Sequence, residues 1–232
     1  MIGTLINVAA ILVGSALGLL LKRSFRQSMA DVVMQGLGLC VVLIGLSGAL
    51  KTGNVLLMIL SVVVGGVLGS AIGINKRLTQ LGEFAQRKLV RNADQGASTF
   101  AQAFVTASLV FCVGAMAVVG ALDSGIRGDH STLIAKSALD GVASVVFAGA
   151  LGPGVMLSAL PVLIYQGAIA LLGNLIAPLL SDIVVQEMSA VGGLLIVGIG
   201  LNMLLKSEIK VADLLPAIFI PFLYYPIVGL FS

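Results

Sequence analysis

The sequence predicts an all-α integral membrane protein with about eight transmembrane helices. Hydrophobic residues make up 59% of the 232 and charged residues only 10%, and the mean hydropathy is +1.14, far outside the range of soluble domains. Apolar runs close to the ~20 residues that a spanning helix needs fill most of the chain. They are continuously apolar rather than alternating, which excludes a transmembrane β-barrel.

The first predicted span, Ile2–Leu21, has no basic residues before it and Lys22, Arg23 and Arg26 after it. That order is the reverse of a cleavable signal peptide, so the span is expected to stay. It carries Asn7 and the pair Gly14 and Gly18, small residues four apart that let another helix come close. The second span, Val32–Leu50, holds Gln35 and Cys40; the third, Asn54–Ile74, carries the stripe Gly65, Gly69, Gly73. The stripe predicts a tight helix contact, within the chain or between subunits.

The segment 75–99 contains KRLTQLGEFAQRKL, with Leu78, Leu81, Phe84, Ala85 and Leu89 on one helical face and Arg87, Lys88 and Arg91 as cations. It reads as an amphipathic helix on the inner leaflet. A hairpin of two spans follows, Phe100–Leu122 and Thr132–Ala150. Its outer loop, DSGIRGDH, holds His130, Asp123 and Asp129, which reads as a solvated turn and not a metal site. Cys40 and Cys112 fall mid-span without ligand spacing, and no cofactor is expected.

The stretch KSALDGVASVVFAGALGPG, residues 136–154, places Lys136 and Asp140 in an otherwise apolar span. Charges there are expensive and normally face a polar cavity or each other. A spacing of four puts both on one helical face. Either they pair, or Lys136 snorkels to the surface and only Asp140 is deep. Gly152, Pro153 and Gly154 break the helix, as a tight turn or as a discontinuous helix with freed backbone groups. The break falls where a connection is needed, which favours the turn.

The remaining spans are Val155–Leu172, with an option to run on to Leu180, then Met188–Leu205 and Leu214–Phe231. The last carries Pro216, Pro221 and Pro226, expected to distort it, and Tyr224 and Tyr225 as interfacial anchors. With the N-terminus outside, the inner segments hold every Lys and Arg except Lys51 and Arg127, which fall outside, and Lys136, which lies within a span, so the positive-inside rule gives N-out and C-out. The net charge of +3 is a topology signal, with no nucleic-acid partner implied.

Gly38–Lys51, GLCVVLIGLSGALK, matches Gly193–Lys206, GLLIVGIGLNMLLK, without gaps at both glycines and the closing lysine. The preceding runs LINVAAILVGSALGLLL and LIYQGAIALLGNLIAPLL agree in outline. Five spans separate equivalent positions, so the copies are inverted, an architecture that binds substrate near the midplane between repeats. The expected organisation is repeat A at 1–74, the amphipathic segment at 75–99, the hairpin at 100–152 and repeat B at 153–232. Asn7 with Gln166, and Ser47 with Asn202, fall near corresponding places. The predicted pathway set is Asp140, Lys136, Asn7, Gln35, Gln166 and Asn202, with Gln102 and Asn174 as further buried-span polar residues.

The opening run MIGTLINVAAILVGSALGLLLKRSFRQSMADVVMQGLGLCVVLIGL and the run KSALDGVASVVFAGALGPGVMLSALPVLIYQG resemble the YqgA/YdfK-like family of bacterial inner-membrane proteins over essentially the whole chain. That family is classed as a domain of unknown function. The resemblance implies a multi-pass bacterial inner-membrane protein, and it places Gln35, Gly36, Lys136, Asp140, Gly141, Gly152, Gly154, Gln166 and Gly167 in the family's pattern. It supplies no substrate.

The expected function is a secondary transporter or channel for a small solute or ion, with Asp140 and Lys136 handling charge. The alternative is a non-transporting oligomeric scaffold or stress-response protein acting through its glycine faces. An enzyme ranks last, since no HExxH, GxSxG or P-loop is present. The expected partners are the bilayer, the solute or ion, and further copies of the chain.

Overall fold

The computed structural model describes residues 1–22, 27–89, 97–177, 180–205 and 207–229. Arg23, Arg26, Arg91 and Lys206 of the topology reading lie outside them, as do the side chains of Lys22, Leu81, Ala85, Arg87, Lys88, Leu89 and Pro226. The described elements are α1 (Ile2–Lys22), α2 (Gln27–Ala49), α3 (Val55–Ile72), α4 (Ile74–Leu89), α5 (Ala97–Cys112), α6 (Ala115–Ile126), α7 (Ser131–Leu151), α8 (Gly154–Leu157), α9 (Ala159–Leu171), α10 (Gly173–Ile176), α11 (Asp182–Leu205), a 3-10 helix (Val211–Phe219) and α12 (Ile220–Gly229). No strand occurs among the described residues.

Among these residues α1, α3, α7, α8 with α9, and α11 are each long and apolar enough to cross a membrane. Two shorter apolar stretches, Met34–Ala49 and Val211–Tyr225, correspond to the second and eighth predicted spans. The fourth is not straight: α5 and α6 meet at 61°, where Gly114 takes φ 132. The outward faces are oily. Leu5, Val13 and Leu20 on α1, Leu39 and Leu43 on α2, and Leu56 and Val67 on α3 are all exposed. That is the surface a bilayer accepts and water does not.

Lipid is as apolar as leucine, so helices associate here through close backbone approach rather than hydrophobic drive. On α1 the buried residues Gly3, Thr4, Asn7, Ile11, Gly14, Ser15 and Gly18 form one stripe. Gly3 meets Leu133, Gly14 meets Gly141 and Gly18 meets Val145, so α1 and α7 run parallel. Helices α2 and α11 run antiparallel, and their contacts are reciprocal. Gly45 comes against Val197 N and Gly193 O, and Gly200 comes against Val42 N and Gly38 O.

The α3 stripe is used within the chain: Gly65 packs on Ala217, and Gly69 on the carbonyl of Asp213. Gly73 has a different task. It closes α3 in the left-handed conformation, φ 69, with its N–H bonded to the carbonyls of Gly69 and Ser70. The turn reading of the Gly-Pro-Gly break also stands: Gly152 takes φ 98, and Gly154 packs on the carbonyl of Phe100. Backbone bonds from Gly152 N to Ala148 O (3.0 Å) and from Met156 N to Pro153 O (3.1 Å) leave little freed backbone.

Pro216 lies inside the 3-10 helix, and Pro221 opens α12. The tighter winding over nine residues is longer than usual. The segment α4 is a helix as predicted, continuing from α3 through Gly73.

A β-carbon at Gly69 would overlap the Asp213 carbonyl, which cannot swing away as a side chain would. Gly69→Val is expected to cost at least about 1–3 kcal/mol, read as a lower midpoint of thermal unfolding in detergent. Gly36→Ala, at an open position, is expected to leave the midpoint unchanged.

Candidate functional site

Helix α7 has no acidic residue in its first turn and no basic residue in its last; its charges lie in the middle. Lys136 is 6% exposed and Asp140 7%. The Lys136 ammonium donates to Asp140 Oδ2, so the lysine does not snorkel. The same oxygen accepts from Asn7 Nδ2 of α1 at 3.0 Å. The Asn7 amide also donates to Gln166 Oε1 of α9 at 3.3 Å. Three elements thus converge on one ion pair, and the parallel α1–α7 contact sets the level at which Asn7 meets Asp140.

Satisfaction is incomplete. Asn7 Oδ1, Gln166 Nε2, Thr4 Oγ1 and Ser15 Oγ are buried without a hydrogen-bond partner, which is costly in a low-dielectric interior. Two hydroxyls of α7 that flank the pair are occupied: Ser137 donates to the Leu133 carbonyl at 2.6 Å, and Ser144 to that of Asp140. A Ser137–Lys136 nucleophile is therefore disfavoured.

The site gathers Asn7, Lys136, Asp140 and Gln166 and leaves out Gln35 and Asn202. Gln35 is exposed on α2. Asn202 clamps the turn after α11, donating to the Ile209 carbonyl at 2.8 Å and accepting from Ser207 Oγ (2.8 Å) and Ile209 N (2.9 Å). In the 123–131 loop each group has a local task. Asp123 pairs with Arg127 at 3.2 Å, and His130 Nδ1 meets Ser124 Oγ at 2.8 Å. Asp129 accepts from Ser131 N, and that bond holds its carboxyl below the usual range. No cluster of three or more His, Cys, Asp or Glu suits a metal among the described residues.

Two acids escaped the sequence reading. Glu187, just before the seventh predicted span, lies inside α11 at 1% exposure. It accepts from Thr52 Oγ1 at 2.6 Å and Gly53 N at 2.7 Å, in the turn before α3. Asp213 accepts from Asn75 N at 2.7 Å, at the start of α4. Their signal was position, each one residue before a predicted span, where an acid reads as solvated.

Three half-open cavities lie among the described residues. One of about 340 Å³ is lined by Asn75, Gln102, Asn202 and Lys210. One of about 300 Å³ is nearly all apolar, lined by Leu78, Val105, Cys112, Val113, Gly114 and Tyr165 among others. The third, about 620 Å³, is lined by Val113, Gly114, Lys51, Asp182 and Gln186 among others. The first two share Leu78 and Val105, and the last two share Val113, Gly114 and Ser189. Lys51 precedes α3 and Asn75 follows it, so the outer two lie at opposite ends of an 18-residue helix, about 27 Å long. Lys136 and Asp140 line none of the three, contrary to expectation. Cys112, on the wall of the apolar one, lies within electrostatic reach of both.

Removing one member of a buried ion pair costs more than removing both. Lys136→Met or Asp140→Leu alone is expected to cost about 3–5 kcal/mol, and the double variant to recover most of it, measured by unfolding in detergent. Glu187→Ala strands the Thr52 hydroxyl and the Gly53 N–H, and is expected to cost about 1–3 kcal/mol in the same assay.

Comparison with known proteins finds relatives whose names give no activity, one of them named as a membrane protein. It is 30% identical over 225 residues to the uncharacterized membrane protein YdfK of Bacillus subtilis (strain 168), covering 95% of this chain and 94% of that one. It is 32% identical over 218 residues to the uncharacterized protein YqgA of Escherichia coli (strain K12), covering 94% and 93%. No solved structure matches the chain. Residues 2–226 match the family described as "Protein of unknown function (DUF554)", and with that match over nearly its whole length the chain belongs to this family.

Proposed function

We propose that the protein is a secondary transporter or channel for a small solute or ion, multi-pass in the bacterial inner membrane with both termini outside. The observation that carries this reading is a series of three cavities in which the apolar one shares a wall with each of the other two. The end cavities are lined in part by charged and amide groups and the middle one by apolar groups. An apolar constriction between wet vestibules is a gate that closes by excluding water. The α5–α6 bend at Gly114 forms the wall shared by the middle and the larger cavity, a place where a small rotation changes the opening.

The reciprocal Gly45–Val197 and Gly200–Val42 contacts pair equivalent positions of the two sequence copies. Asn7 and Gln166, also near-equivalent, touch each other. Both patterns support an inverted repeat of three spans flanking the hairpin, with the polar cluster close to its pseudo-twofold axis. Lys136 and Asp140 then act beside the pathway, in an occluded conformation. The scaffold reading relied on glycine faces free for oligomerisation, but Gly14, Gly18, Gly65 and Gly69 are covered within the chain. An enzymatic role gains no support from Ser137 and Ser144, the hydroxyls nearest the pair in sequence, which are both engaged by backbone carbonyls.

In proteoliposomes, the wild type is expected to pass small polar solutes or monovalent ions faster than empty vesicles, read by light scattering and ion-sensitive dyes. Val113→Trp, which fills the shared wall, is expected to abolish the flux while the protein stays folded. Absence of any flux from folded protein across the whole panel would overturn the transport reading.

A further inference from the structure

We infer that the proton is the coupling ion, that Asp140 is its binding site, and that the seam between α1 and α7 is its route. The inference rests on the transport reading above and deepens it. Both described hydrogen bonds to the Asp140 carboxylate fall on Oδ2, leaving Oδ1 to take a proton. The polar atoms lacking partners in the seam are Thr4 Oγ1, Asn7 Oδ1 and Ser15 Oγ on α1, with Gln166 Nε2 from α9 facing Asn7. Each of these residues is fully buried. From Thr4 to Ser15 they follow one face of α1 for about 16 Å, roughly half the hydrocarbon core, with Asn7 and its Asp140 contact between them.

Buried polar atoms without protein partners are commonly completed by internal water. A file of hydroxyls, amides and water beside a carboxylate is a proton conductor. A proton needs no cavity of its own, which fits the absence of Asp140 from the three cavity walls. A dehydrated metal cation fits the seam less well: Lys136 already occupies the carboxylate as a tethered cation.

In the step itself, a water in the seam gives H⁺ to Asp140 Oδ1 and becomes hydroxide until it is reprotonated from the file. The carboxylate becomes a neutral acid, and the Lys136 ammonium loses its counter-charge. Release of the proton on the other side restores the pair. No oxidation state changes. The groups that bear on Asp140 are Lys136 on its own helix and Cys112 of α5, while α1 and α9 contribute the neutral amides Asn7 and Gln166. The proton and Lys136 compete for one carboxylate, so protonation also weakens Asp140 as the acceptor of the Asn7 bond that ties α1 to α7.

The test uses full-length protein in proteoliposomes carrying an internal pH dye, under an imposed potassium diffusion potential. Solute or ion flux is read in parallel. Wild type is expected to acidify the lumen, Asp140→Asn to slow this about a hundredfold, and Thr4→Val with Ser15→Ala to slow it several-fold while the ion pair stays intact. If Asp140→Asn does not fold, Lys136→Gln with Asp140→Asn replaces it, since no charge is then left unpaired. Flux of another species with the internal pH unchanged would overturn proton coupling and leave transport standing. Proton uptake that survives loss of Asp140 would also overturn it. If nothing is transported, infrared difference spectra decide separately. A protonated-carboxyl stretch that grows in on acidification and is absent without Asp140 supports the site, and its absence refutes it.

Discussion

A carboxylate and an ammonium inside a hydrocarbon-facing helix are tolerable only if other helices close around them tightly enough to supply hydrogen bonds. Much of the fold follows from that requirement. Asn7 can reach Asp140 because α1 lies against α7 at backbone distance, and it lies there because Gly14 and Gly18 meet Gly141 and Val145 without intervening side chains. Gln166 then has to come from a third element, which the tight turn at Gly152 makes possible by returning the chain at once beside α7. The polar cluster and the glycine seams are therefore one device.

The same rule shapes the second layer. Helix α2 closes on α11 through Gly38, Gly45, Gly193 and Gly200, and α3 closes on the 3-10 helix through Gly65 and Gly69. Every close approach brings carbonyls and amides of different helices into one narrow space. The cavities remain where such approach fails, around the bent α5–α6 arm and the proline-distorted C-terminal segment.

Much of this was legible in the residues. Continuous apolar runs located the helices, and a four-residue spacing put Lys136 and Asp140 on one face, where they do pair. Corresponding places in the two copies linked Asn7 to Gln166, which do touch. Other features were not legible. Gly114 looks like any glycine in an apolar run, and only neighbours distant in sequence decide that it bends the span. Glu187 reads as solvated because sequence does not show that a turn 135 residues away will cover it. Gly73 shares the spacing of Gly65 and Gly69, yet a helix end and a packing face use the same residue for different reasons. Asn202 matched the pattern of a pathway residue and proved to be a turn clamp, because an amide one turn from a helix end satisfies the backbone first.

Glu187 and Asp213 fasten both ends of α3, one at the turn that precedes it and the other at the helix that follows. Both carboxylates come from the C-terminal part of the chain. Helix α3 is therefore tied at one end to α11 and at the other to the C-terminal segment. A second set, α1, α7 and α9, is joined through Asp140, Asn7 and Gln166. Each set therefore takes helices from both halves of the sequence, so the packing cuts across the order of the chain.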